Sequence, residues 1–106
     1  METATIEVAE TDHVPSLALR REVMAGPENH VDVIMVPPGG EIGVETHADA
    51  DETLLVLAGA GEAVVDGERT RVHAGSVVYI PRGTSHNVHN RGPATLRLYA
   101  VHAASV

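Results

Sequence analysis

The chain has 106 residues and a formal net charge of −8, with seven arginines, no lysine and fifteen acidic residues. So acidic a chain repels phosphate backbones and anionic bilayers, so neither nucleic acid nor a membrane is expected as a partner. No apolar run approaches the roughly 20 residues needed to cross a bilayer, and the lack of cysteine excludes disulfides and thiolate metal sites, as expected of a cytoplasmic protein.

At this length one domain is expected. Residues 1–16 read as a polar arm without a hydrophobic stretch of signal-peptide type, and residues 17–106 as a β-domain. Segment 17–24 fits a first strand, although its pattern also permits a helical turn, and Gly26-Pro27 marks a turn after it. Val31, Val33 and Met35 alternate with Asp32 and Ile34, which predicts a strand that Pro37-Pro38-Gly39-Gly40 stops. The continuous apolar run over 53–58 predicts a strand buried on both faces. Asp66-Gly67, between segments 63–66 and 68–72, is the strongest hairpin signal in the chain. Segments 77–80, 85–89 and 95–102 complete a set of roughly eight to ten strands, with no stretch of helical periodicity. The pattern is all-β: an antiparallel barrel or sandwich.

Two tyrosines, no phenylalanine and no tryptophan leave the interior to aliphatic residues. They also argue against an aromatic cage or a base-stacking platform. Seven histidines without a cysteine point towards His/carboxylate metal chemistry. Glu45 and His47 are two apart, so both leave the same face of an extended strand, which suits two ligands on one ion. If that strand ran on, Asp49 would share the face. Otherwise Asp49 and Asp51 are expected in a loop at the barrel mouth, where they would attract a cation.

Two longer patterns carry more. The first is Gly39, five residues, Glu45-Thr46-His47, four residues, Glu52, six residues, Gly59; the second is Gly75, five residues, Pro81-Arg82-Gly83, two residues, His86, three residues, Asn90. Together they resemble the two signature motifs of the cupin superfamily, in the form of small single-domain cupins of the mannose-6-phosphate-isomerase-like type. The resemblance implies a double-stranded β-helix, or jelly roll. It also implies a divalent metal held by Glu45, His47, Glu52 and His86, with coordination positions left open as in catalytic rather than structural sites. It favours Glu52 over Asp49 as the carboxylate ligand. A glutamate stands at 45 where the first motif usually has its first histidine, so the set would hold two His and two Glu. Two carboxylates neutralise a divalent ion and favour Mn²⁺, Fe²⁺ or Zn²⁺. The second motif also has local reasons: Gly75 permits a turn, Pro81 ends a strand, Gly83 folds the backbone back, and Asn90 caps the following turn.

The remaining polar residues carry weaker expectations. His89, three after His86, points to the other face of a strand and reads as a surface histidine. His102 is evenly spaced from Ala100 and Leu98; it would line the cavity as an acid/base group or be a plain terminal histidine, the reading preferred. His13, His30 and His73 attract no functional expectation. Tyr79, Tyr99 and Arg97 would either enter the cavity or face solvent, which alternation without a register leaves open. Gly59-Ala60-Gly61 reads as a turn. The expected function is a metal-dependent enzyme acting on a small polar metabolite, as a sugar isomerase or as an oxygenase or decarboxylase of a small acid. The alternative is a non-catalytic small-molecule-binding cupin. No catalytic residue is assigned, and a homodimer is expected.

Overall fold

The computed structural model of the protein describes residues 18–104. The arm expected over 1–16, His13 included, lies outside the described residues. Eight strands alternate with turns: β1 (Leu19–Ala25), β2 (Asn29–Val36), β3 (Ala50–Ala58), β4 (Ala60–Val65), β5 (Glu68–His73), β6 (Val77–Ile80), β7 (His86–His89) and β8 (Leu96–Ala104). Of the segment 17–24, residues 19–24 lie in β1, so strand rather than helical turn is the outcome for them, and residue 17 lies outside the described residues. Every pairing is antiparallel. A five-stranded sheet of order β1-β2-β8-β3-β6 faces a three-stranded sheet of order β5-β4-β7. No helix of the described residues is long and apolar enough to cross a membrane.

Alternation places the core. Ile34 and Val36 of β2, Leu54 and Val56 of β3, and Leu96 and Leu98 of β8 point inward and are buried. Ala63, Val72 and Val88 meet them from the smaller sheet. Each fully buried side chain of this size contributes about 1.5–3 kcal/mol. The apolar run over 53–58 is buried on one face only, contrary to expectation: Leu54 and Val56 lie in the core, while Leu55 and Leu57 are 37% and 38% exposed. Among the described residues the outer face of the large sheet carries no second layer, so a continuous apolar sequence does not report two buried faces here.

Two turns show why their residues are required. Asp66 and Gly67 both adopt positive φ (50° and 80°), the conformation of a two-residue hairpin that pairs Val65 with Glu68. Gly59 turns the chain between β3 and β4 at φ 85°, and a Cβ there would lie 2.6 Å from the Thr95 carbonyl oxygen. Asn90, 1% exposed, caps as expected and reaches further. Its Oδ1 accepts from the Gly92 N–H, while Nδ2 donates to the carbonyls of Val36 and Ala94. It thereby ties the end of β7 to β2 and to the entry of β8.

Candidate metal centre

Three parts of the chain meet between the sheets. β3 presents Glu52 inward, one alternation step from Leu54, and β7 presents His86 inward beside Val88. Segment 41–47 runs along the free edge of β7 and supplies Glu45 and His47. Glu45 and His47 were read as they would lie on an extended strand; the segment instead makes only two isolated bridges, Glu41 with His89 and Glu45 with His86. Four steps on one side thus oppose three on the other. Gly43 absorbs the extra residue at φ 106°, and its N–H is taken by Asn87 Oδ1 at 2.8 Å. This irregularity sets Glu45 directly opposite His86, with backbone hydrogen bonds in both directions.

The ligand atoms of Glu45, His47, Glu52 and His86 all lie within 4.8 Å of one another. His47 Nε2 is 3.0 Å from Glu45 Oε2 and 3.5 Å from Glu52 Oε2, and His86 Nε2 is 3.1 Å from Glu52 Oε1. His86 Nδ1 lies 2.9 Å from the Thr84 carbonyl oxygen, a partner that takes the Nδ1 proton. A neutral His86 therefore turns the lone pair of Nε2 towards a carboxylate, an arrangement that needs a proton or a cation between the two. Glu52 Oε2 and His86 Nε2 are buried without a hydrogen-bond partner, and a divalent ion would satisfy both. The donor set fits such an ion.

Electrostatics agree with this picture. Burial pushes the Glu52 carboxyl up, but the adjoining His86, His102 and His47 outweigh it and hold the group below its ordinary value. The Glu52 carboxylate raises His86 against the opposing effect of burial, and the Thr84 carbonyl adds to the rise. Arg20 of β1 closes the other side. Its Nη2 donates to Glu45 Oε1 at 2.7 Å and its Nη1 reaches Asp32 Oδ2 at 3.5 Å.

His102 departs most from expectation. It is no plain terminal histidine: 3% exposed, it points inward from β8, and its Nε2 contacts Glu52 Oε2. The register pairs it with Glu52 on β3 and with His30 on β2. Its ring stacks on His30 at 4.3 Å and meets His47 edge-on at 4.6 Å. Burial holds it below the ordinary imidazole value, the Glu52 carboxylate opposing. Sequence reasoning also passed over His30 and Asp32. The available signal was parity: His30, Asp32, Ile34 and Val36 share one face, as do Leu96, Leu98, Ala100 and His102.

Other expected residues lie elsewhere. Asp51 belongs to β3 rather than to a mouth loop. Its Oδ1 accepts from the Arg82 backbone N–H at 2.9 Å and from Arg82 Nε at 3.3 Å, which fastens the Pro81-Arg82-Gly83 turn. Asp49 sits in a bend before β3, outside the cluster. His89 does face away from the centre and pairs with Glu41 at 3.1 Å. Tyr79, Tyr99 and Arg97 share the parity of the outer face of the large sheet, and Tyr79 is 59% exposed. A cleft of about 240 Å³ near Arg71 and Arg91 opens on the smaller sheet and shares no residue with the cluster.

An antiparallel double-stranded β-helix with a His/carboxylate cluster between its sheets is the architecture of a cupin. The chain matches the cupin domain family model, Cupin_2, over residues 32–102, and it belongs to that family. It is 29% identical over 83 residues to a mannose-1-phosphate guanylyltransferase of Klebsiella pneumoniae, covering 78% of this chain but only 18% of that protein. Among solved structures it superposes on a Cupin 2 conserved barrel domain protein of Salinispora arenicola at a TM-score of 0.76 and 27% identity, covering 96% and 92% of the two chains. A sugar phosphate isomerase of Silicibacter pomeroyi gives 0.67 at 23% identity, over 74% of this chain and 52% of that one. A predicted oxalate decarboxylase of Thermotoga maritima gives 0.70 at 22% identity, over 93% and 100%. The last two likenesses concern the fold.

Proposed function

We propose that the protein is a metal-dependent enzyme acting on a small, oxygen-rich metabolite, with Glu45, His47, Glu52 and His86 holding one divalent ion. The observation that carries this reading is the buried pair of Glu52 and His86, in which Glu52 Oε2 and His86 Nε2 have no hydrogen-bond partner. The bound ion would act as a Lewis acid on a substrate carbonyl or carboxylate oxygen. Arg20 holds Glu45 in place, and the Thr84 carbonyl fixes the His86 tautomer.

The reaction class is either isomerisation of a hydroxy-carbonyl compound or oxidation or decarboxylation of a small acid. The names of the isomerase and predicted decarboxylase among the structural neighbours support both. Elemental analysis of the purified protein is the test. Near-stoichiometric Mn²⁺, Fe²⁺ or Zn²⁺, lost in His86→Gln, is the expected result. Zinc would favour isomerisation and a redox metal the acid chemistry. No metal in the purified protein, even after incubation with all three ions, would instead favour a metal-free binding barrel.

We also propose a homodimer packed through the outer face of the large sheet, where Leu55 and Leu57 of β3 and Val77 and Tyr79 of the neighbouring β6 are exposed. Light scattering should give twice the chain mass, and Val77→Asp should return it to one chain.

A further inference from the structure

His102 is the buried histidine that the four-residue metal set leaves out. β8 delivers it on the face that also carries Leu96, Leu98 and Ala100 into the core, so alternation commits its ring to the interior. There it touches Glu52 Oε2, yet neither of its ring nitrogens has a hydrogen-bond partner. Burying an imidazole in that state is unfavourable, and a cation beside the ring and the carboxylate would satisfy Nε2, the nitrogen that faces Glu52. Three imidazoles then surround one carboxylate. His86 faces Glu52 Oε1, while His47 and His102 face Oε2.

We infer that His102 is a further ligand of the ion held by Glu52, supplying from β8 a third imidazole in a site whose first motif offers Glu45 in place of histidine. The inference rests on the metal-binding reading above. Glu45 is placed for a lesser share, because Arg20 already holds its Oε1 and leaves only Oε2, 3.0 Å from His47 Nε2, to turn towards the ion.

The alternative use of His102 is a second ion. His30, Asp32 and His102 also offer ligand atoms within 4.8 Å of one another. Charge favours a single ion. Asp32, Glu45 and Glu52 with Arg20 leave two net negative charges, which one divalent ion cancels. A second ion would leave buried positive charge without a partner. His30 is then a positioning residue, its ring stacked on His102 at an interplanar angle of 27°.

The test counts ions and imidazoles. The purified protein is stripped with a chelator and reloaded with Cu²⁺, and electron spin echo modulation reports the coordinated imidazoles. Chelator competition then gives the Zn²⁺ affinity of the wild type, His102→Gln and His30→Gln. The expected result is one ion per chain with three imidazoles in the wild type. His102→Gln should show two imidazoles and bind Zn²⁺ about 100-fold more weakly. His30→Gln should keep three and lose about tenfold, the lower end of what outer partners of metal ligands contribute. Two imidazoles in the wild type, or an unchanged count and affinity in His102→Gln, would overturn the role of His102 and leave the four-residue set standing. Two ions per chain would overturn it in favour of a second centre. A wild type that binds no ion would overturn both readings. The wild-type count needs no variant, so it decides even if His102→Gln fails to fold.

Discussion

At one end of the large sheet, the inward positions of β2, β3 and β8 hold Ile34, Val36, Leu54, Val56, Leu96 and Leu98. At the other end the same faces of the same strands hold His30, Asp32, Glu52 and His102. The change occurs within one alternation step, between Leu54 and Glu52 on β3 and between Ile34 and Asp32 on β2. The apolar end supplies the free energy of burial. At the polar end mutual pairing outweighs burial for Glu52 and His86, whereas burial prevails for His102. One hydrogen-bonded ladder spans both ends, so packing at the apolar end fixes the positions of donor atoms at the other. Stability and chemistry are thus divided along the strand axis rather than between domains.

Leu98→Ala is the largest expected break in this division. Removing a fully buried leucine should cost about 2–5 kcal/mol in denaturant unfolding, while the folded fraction keeps its metal stoichiometry. Loss of metal along with stability would mean that the two ends are not separable. His86→Gln should do the converse. In chelator competition, metal affinity should fall by more than the roughly 10–100-fold that outer partners of ligands contribute, with a smaller change in metal-free stability than Leu98→Ala produces.

The smallest effect sharpens the comparison through pH. His86 is raised in the folded protein, so its contribution is complete below 6.5 and is lost as pH rises through the raised value. Glu52 is lowered, so its contribution is present above 4.5 and is lost as pH falls through the lowered value. His102 is lowered by burial, so it removes stability as pH falls below 6.5. Together these place the stability optimum of the metal-free protein near about 6.5. The loaded protein holds its imidazoles neutral, as the unfolded chain also does above about 6.5, so its stability should rise up to that pH and level off beyond it. Calorimetric Tm values should therefore diverge above pH 6.5, falling without Zn²⁺ and staying level with it. Parallel slopes would count against His86 as the ligand.

What the sequence made legible was local. Asp66-Gly67 announced its hairpin because two consecutive positive φ angles suit few other residue pairs. The two motifs brought Glu45, His47, Glu52 and His86 to one region because each motif is a short segment whose turns fix its own geometry. The parts that stayed hidden depend on register between distant strands. His30 and His102 are 72 positions apart in the chain yet directly paired, and periodicity alone assigns neither a neighbour. The outer exposure of Leu55 and Leu57 was hidden for a related reason: a sequence records which residues are apolar, not which sheet face another layer covers.

The placement of the two tyrosines has a practical consequence. The chain has no tryptophan, and both tyrosines share the parity of the outer face of the large sheet, opposite in parity to Glu52 and His102. Its intrinsic fluorescence therefore arises on the side of the sheet facing away from the His/carboxylate cluster. Emission should respond weakly when an ion enters between the sheets and strongly when another surface covers Tyr79. The molecule carries its own optical label for association, one largely blind to the chemistry inside.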